Sequence, residues 1–349
     1  MATKEDLRPI EARTEEQDPL ERLQVQNILC PVDFSDFSRQ AFQYGVSLAR
    51  HFGSRLFLQH TAQAPASLLL EGVGPAGVQE SVQGQLTRAR EETRRMLISM
   101  GVDSSEVTIL LNEGDPADSI LETISRERID LLVMGTHGHK GFSRLVLGSV
   151  TEGLIHQSVC PVLVVSRPKE NIAELEQGVR IRTILLATDF SHHSDRALTY
   201  ALKWGWEWNA KVVLFHAVEE PAKAMQGLTD LFPEYNPYFE RQVARAWERI
   251  QRLVPRTARE RREVIYEIRH GNAREEILRV AEEKHADLII TGARGMERSA
   301  VPWGSAGPAG RNVEAAQALH KSFHPWGSVS SAVVRDGRFP VLVVRELTP

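Results

Sequence analysis

The sequence predicts an α/β protein of two tandem domains, each a doubly wound five-stranded parallel sheet of strand order 3-2-1-4-5. Three observations carry this. The chain repeats itself, its apolar segments alternate between strand and helix, and its strands are unbroken apolar runs. Such runs fit a parallel sheet covered by helices, where both faces of every strand are buried. With 349 residues there is room for two ordinary domains, each able to bury its own core.

The repeat organises the chain. Asn27-Ile-Leu-Cys-Pro-Val-Asp33-Phe-Ser-Asp-Phe-Ser38 aligns with Thr183-Ile-Leu-Leu-Ala-Thr-Asp189-Phe-Ser-His-His-Ser194 at an offset of 156. The same offset pairs Ala41 with Ala197, Tyr44 with Tyr200 and His60 with His216. One residue later in register, Gly114 pairs with Gly271, Asp130 with Asp287, Gly135 with Gly292 and Gly138 with Gly295. Pro161-Val-Leu-Val-Val165 returns as Pro340-Val-Leu-Val-Val344 at an offset of 179, so the second copy carries 22 extra residues before Pro340. The division expected is a disordered tail over 1–22, a first domain over 23–168, a polar linker over 169–180 and a second domain over 181–349. The insertion falls near 304–326.

Within the first copy, apolar runs place strands near 26–32, 55–62, 106–112, 129–134 and 161–166. Helices lie between them, near 37–52, 79–100, 116–127 and 149–157. In the first helix Phe42, Gly45 with Val46, and Ala49 share one face at helical spacing. Ser35, Asp36 and Ser38 supply good N-cap residues for it. Over 241–262 Arg is mixed with Glu at short intervals, the pattern of a solvated helical face rather than a nucleic-acid stripe. Trp204, Trp206 and Trp208 alternate near a helix end, where core packing or an interdomain contact explains them better than stacking on a base.

Composition excludes several classes of function. The chain is 42% hydrophobic and 25% charged with a formal net charge of -4, so no global positive field argues for nucleic acid. Its longest apolar runs are too short to cross a bilayer, and the first residues lack a secretory h-region. Cys30 and Cys160 have no metal-ligand spacing and read as buried, reduced thiols. A cytoplasmic setting is expected.

Ligands meet doubly wound sheets at the carboxyl ends of the strands, beside the topological switch point. Asp33 follows the first strand and Gly135 the fourth, and in a 3-2-1-4-5 order these ends are neighbours. After the fourth strand, which ends at Met134, runs Gly135-x-x-Gly138, then nine residues, then Gly148-Ser149 opening a helix. Glycines there let backbone N–H groups approach a polyphosphate, and the helix N-terminus adds partial positive charge. The Ser149 hydroxyl and the N–H groups of Val150 and Thr151 are placed to face a phosphate. Asp33 is suited either to a nucleoside hydroxyl or base, or to the helix cap; Ser35 or Asp36 capping would leave it free. His137 and His139 flank Gly138 as phosphate contacts or a metal pair, but no carboxylate or cysteine completes a ligand set, so no metal site is assigned.

Ile28-Leu-Cys-Pro-Val-Asp33-Phe-Ser, Gly135-Thr-His-Gly138, Leu147-Gly148-Ser149-Val150 and Cys160-Pro-Val-Leu-Val-Val165 together resemble the universal stress protein family. The resemblance covers both copies, so the chain is similar to a tandem universal stress protein. It implies a Rossmann-like fold of the adenine nucleotide α-hydrolase kind and, in the ATP-binding branch, a nucleotide site. Carried over, Gly135, Gly138, Gly148, Ser149 and Val150 hold phosphate; Pro31, Val32 and Asp33 border adenosine; and Thr61 touches adenine. Met134, His137 and Thr151 complete the cofactor-binding set. The implied cofactor is ATP, with AMP or ADP as alternatives and Mg²⁺ as an accompanying ion. The family also implies pairing of the last strands, here 161–166 with 340–345 as an internal pseudo-dimer, with a homodimer as the further possibility. An adenine nucleotide and a protein of unknown identity are the expected partners; nucleic acid and membrane are not.

The second copy departs from the motif. Gly292-Ala-Arg-Gly295 begins it, but Gly304-Ser305 follows after eight residues, and Pro-Trp-Gly-Ser recurs at 325–328. Either Gly-Ser could start the last helix, and the second copy is expected to bind nucleotide weakly or not at all. The leading function is a nucleotide-binding stress-response regulator acting through partner binding. One alternative is a slow ATP hydrolase or autophosphorylating enzyme, which lacks here the Ser-Gly-Gly-x-Asp-Ser loop, a carboxylate cluster for Mg²⁺ and an evident general base. The other is a nucleotide-free structural interaction protein.

Overall fold

The structure is a computed structural model that describes residues 24–65, 67, 72–136, 147–166, 178–219, 236–261, 263–293, 328–336 and 338–345. The first copy runs β1 (Asn27–Pro31), α1 (Asp36–Phe52), β2 (Arg55–Ala62), α2 (Pro75–Ser99), β3 (Val107–Glu113), α3 (Pro116–Arg126), β4 (Leu131–Gly135), α4 (Ser149–Gln157) and β5 (Val162–Val165). The second runs β6 (Thr183–Ala187), α5 (His192–Glu207), β7 (Lys211–Val218), α6 (Asn236–Leu253), α7 (Arg256–Arg261), β8 (Val264–His270), α8 (Ala273–Glu283), β9 (Leu288–Gly292), α9 (Ser328–Asp336) and β10 (Val341–Val344).

Among the described residues the ten strands form one sheet in the order β3-β2-β1-β4-β5-β10-β9-β6-β7-β8. Each copy therefore has the 3-2-1-4-5 order, parallel throughout. The copies join where β5 and β10 run antiparallel, Leu163 opposite Leu342. Short β-branched runs such as Val162–Val165 suit this place because the sheet is covered on both sides. One layer of the core packs α1, α2, α5 and α6 on the sheet through Phe42, Leu48, Met96, Trp204 and Ile250. The opposite layer packs α3, α4, α8 and α9 through Ile120, Ile124, Leu154, Ile277, Val280 and Val333.

Caps and clamps fix the ends of these elements. Asp115 accepts from the amides of Ala117 and Asp118 at the start of α3, where Pro116 has no N–H to leave unpaired. α2 begins at Pro75 rather than near 79, because Gly74-Pro75 offers the same start four residues earlier. Before β4, the Asp130 carboxylate accepts from the amides of Gln26 (2.8 Å) and Asn27 (2.9 Å). Asp287 repeats this on Arg182 and Thr183. Among the described residues no helix is long and apolar enough to cross a membrane. The expected tail over 1–22, most of the linker and the insertion near 304–326 lie outside the described residues.

Candidate functional site

β1 and β4 are neighbours in register, Ile28 opposite Leu131 and Leu29 opposite Leu132, so their carboxyl ends open side by side at the switch point. Pro31 is half-buried at the end of β1, and Val32 is buried, its amide donating to the Gln59 carbonyl (2.8 Å). Phe34 then takes a left-handed conformation, φ 64, which costs a bulky side chain about 1–2 kcal/mol. That turn reverses the chain into α1.

Asp33 is not left free by the cap, as the sequence suggested it could be. Ser35 does cap α1, accepting from the Ser38 amide (3.3 Å). The Asp33 carboxylate Oδ1, however, accepts from both the Ser35 amide (3.0 Å) and the Ser35 hydroxyl (2.6 Å). The short aspartate side chain reaches its own backbone two residues on, a local turn that competes with any ligand for one carboxylate oxygen.

At the β4 end Met134, Gly135 and Thr136 are buried. A Cβ on Gly135 would sit 2.9 Å from the backbone carbon and oxygen of Phe37. Glycine is thus required by the approach of α1 to β4, independently of any ligand. α4 starts at Gly148, whose amide donates to the Thr136 carbonyl (3.0 Å). Gly148 brings no side chain to the cap, and the first-turn amides of a helix have no intrahelical acceptor. Ser149 is exposed and Val150 half-buried there. Thr151 is buried, and its hydroxyl donates to the Gly135 carbonyl (3.0 Å), binding α4 to the strand end. His137 and Gly138 lie outside the described residues, as does His139.

On β2, Thr61 is half-buried, its hydroxyl 3.4 Å from the Gln59 side-chain nitrogen. Its neighbour His60, assigned no role from the sequence, reaches the end of β1. His60 Nδ1 lies 2.8 Å from the Val32 carbonyl, and its ring is 4.9 Å from the Phe34 ring. The signal was present in the repeat, for His216 stands at the same place, 2.8 Å from the Thr188 carbonyl and 4.3 Å from Phe190.

The second copy keeps this frame. Phe190 is left-handed at φ 62, and Asp189 Oδ1 accepts from the Ser191 amide and from the hydroxyls of Ser191 and Ser194. α9 begins at Ser328, which settles the ambiguity between the two Gly-Ser pairs. Ser330 donates to the Gly292 carbonyl (2.8 Å) as Thr151 does to that of Gly135. Gly327-Ser328 is thus the counterpart of Gly148-Ser149, while Gly304-Ser305 falls outside the described residues. Nine residues separate Gly138 from Gly148, and 31 separate Gly295 from Gly327.

The universal stress protein family model matches this chain twice, at residues 24–166 and 180–345. The chain belongs to that family, as two tandem copies. A universal stress protein of Methanocaldococcus jannaschii is 31% identical over 144 residues, 41% of this chain and 83% of that protein. One of Thermus aquaticus is 30% identical over 138 residues, 40% of this chain and 96% of its own length. Among solved structures, a universal stress protein from Archaeoglobus fulgidus aligns with 93% of this chain and 98% of its own, at TM-score 0.58 and 21% identity, so the fold is shared across both copies.

Proposed function

We propose that the first copy binds an adenine nucleotide across the carboxyl ends of β1 and β4, and that the chain is a stress-response regulator working through nucleotide-dependent partner binding. The observation that carries this reading is the start of α4. A nine-residue helix opens without a side-chain cap at the switch point, beside Gly135 and next to the strand that delivers Asp33. Its first-turn donors suit the anionic end of a nucleotide, since a helix N-terminus combines unpaired amides with a partial positive charge. Gly148, Ser149 and Val150, with Gly135, Gly138 and His137, are the phosphate side. Pro31, Val32, Asp33, Thr61 and Met134 are the nucleoside side, with Asp33 contributing its carboxylate. Thr151 acts by holding α4 against β4. ATP is the proposed ligand, AMP and ADP sharing its contacts, with Mg²⁺ on the phosphates.

The second copy has the same strand ends, but its loop is 22 residues longer. It binds nucleotide weakly or not at all, because a short connection holds the amide donors together at lower entropic cost.

The test is thermal unfolding of the full chain with and without ATP. Ligand at about 100 times its dissociation constant stabilises the native state by roughly 2.7 kcal/mol. Gly138→Glu places a side chain and a negative charge in phosphate space and abolishes the shift, while Gly295→Glu leaves it intact. An equal shift in Gly138→Glu overturns the site. Two equivalent ATP sites by equilibrium dialysis overturn the asymmetry, and steady ADP release favours the hydrolase alternative.

A further inference from the structure

The repeat offsets locate the pseudo-twofold axis that relates the copies. In the β5–β10 ladder Leu163 pairs with Leu342, with Val162 and Val164 opposite Val343 and Val341. Leu342 is the counterpart of Leu163 at the offset of 179. A residue touches its own counterpart only on a twofold axis.

The helical layer shows the same coincidence at the ends of α1 and α5. His51 Nε2 lies 3.3 Å from Glu207 Oε1, and residues 51 and 207 are counterparts at the offset of 156. The next pair, Phe52 and Trp208, meets edge to face at 6.3 Å. The His51 ring also stacks on Trp208, 3.8 Å between centroids and 11° from parallel.

Two like copies paired on this axis would bring identical residues together. Two first copies would set His51 against His51, and two second copies would set Glu207 against Glu207. The chain instead places a carboxylate against an imidazole. The flanking contacts are equally one-sided. Ser47 Oγ accepts from the Val179 amide (2.5 Å), and the counterpart of Ser47 is Lys203. Ser166 donates to the Phe339 carbonyl (2.6 Å), and the counterpart of Ser166 is Arg345.

We infer that the axial face of the first copy is matched to the second copy of the same chain and mismatched to itself, so that the interface selects unlike copies. The β5 and β10 edges are then consumed within the chain, and the residues on the axis discriminate against like pairing by juxtaposing identical charged or polar groups.

Both mismatches can be created inside the full chain. Glu207→His sets histidine against histidine, and His51→Glu sets carboxylate against carboxylate. Glu207→Gln and His51→Gln are the neutral references, and each has lost the same native side chain as the mismatched variant it is compared with. The double variant H51E/E207H reverses the pair. Each mismatched variant is expected to melt about 2 °C or more below its glutamine reference, with the reversed pair melting above both single mismatches. Mismatched variants that melt with or above their references overturn the inference, as does a reversed pair no more stable than either single mismatch.

Discussion

At the scale of single residues, the same positions serve the fold and border the candidate site. Gly135 is the clearest case. Gly135→Ala drives a Cβ into the Phe37 backbone, and overpacking of this kind costs about 1–3 kcal/mol. Urea denaturation should therefore show a lower midpoint before any effect on ligand is considered. His216 gives a pH-dependent expectation. Burial pushes its imidazole below the ordinary value of 6.5, opposed by its bond to the Thr188 carbonyl. As pH falls below about 6.5 the unfolded chain takes up the proton first, so stability present above that pH is lost down to the native value. In His216→Asn, the stability measured as pH falls below about 6.5 should decline less steeply than in the parent chain. That Asp33 follows β1, that Gly135 ends β4 and that Gly148-Ser149 opens α4 was legible in the sequence, because the motif spacing fixes those places. The engagement of Asp33 by Ser35 was not, since a turn of two residues leaves no periodic trace. Nor was the left-handed Phe34, at a position where glycine is the usual choice.

Among elements, the last helix of the second copy stands out. Arg274 on α8 makes two bonds to the Asp336 carboxylate on α9, at 3.0 and 2.8 Å. Arg338 pairs with Glu282 nearby. At the first pair's counterparts the first copy has Ala117 and Gln157, so these ties are particular to the helix entered by the longer connection. Asp336→Ala should cost about 0.3–1 kcal/mol, the range of a partly exposed pair. Hydrogen exchange should show faster amides in α9 and no change in α4; equal change in both would contradict a local tie. Strands and most helices were readable as apolar runs and helical spacing. The start of α9 was not, because two copies of Pro-Trp-Gly-Ser are identical as sequence. Only tertiary contact, Ser330 on the Gly292 carbonyl, distinguishes them.

For the molecule as a whole, the join at β5 and β10 holds the two copies in one sheet. Leu342 is fully buried there. Leu342→Asp would bury an unpaired charge, a loss on the order of 4 kcal/mol, and calorimetry should resolve two transitions where the parent shows one. A single unshifted transition would mean that the copies do not depend on this contact. The tandem plan was legible from the repeat offsets, and the doubly wound sheets from the alternation of apolar strands with helices; the matched contact of His51 with Glu207 needed the coordinates, because an axis has no signature in a linear string. The join also leaves a ribbon with two distant rims, β3 and β8. On β8, Glu267 sits between Arg269 and Lys284, 2.9 Å from each, a charged hem that discourages stray strands from adhering. On β3, Ile109 is 40% exposed. In concentrated solution, this rim is the less guarded of the two against clumping.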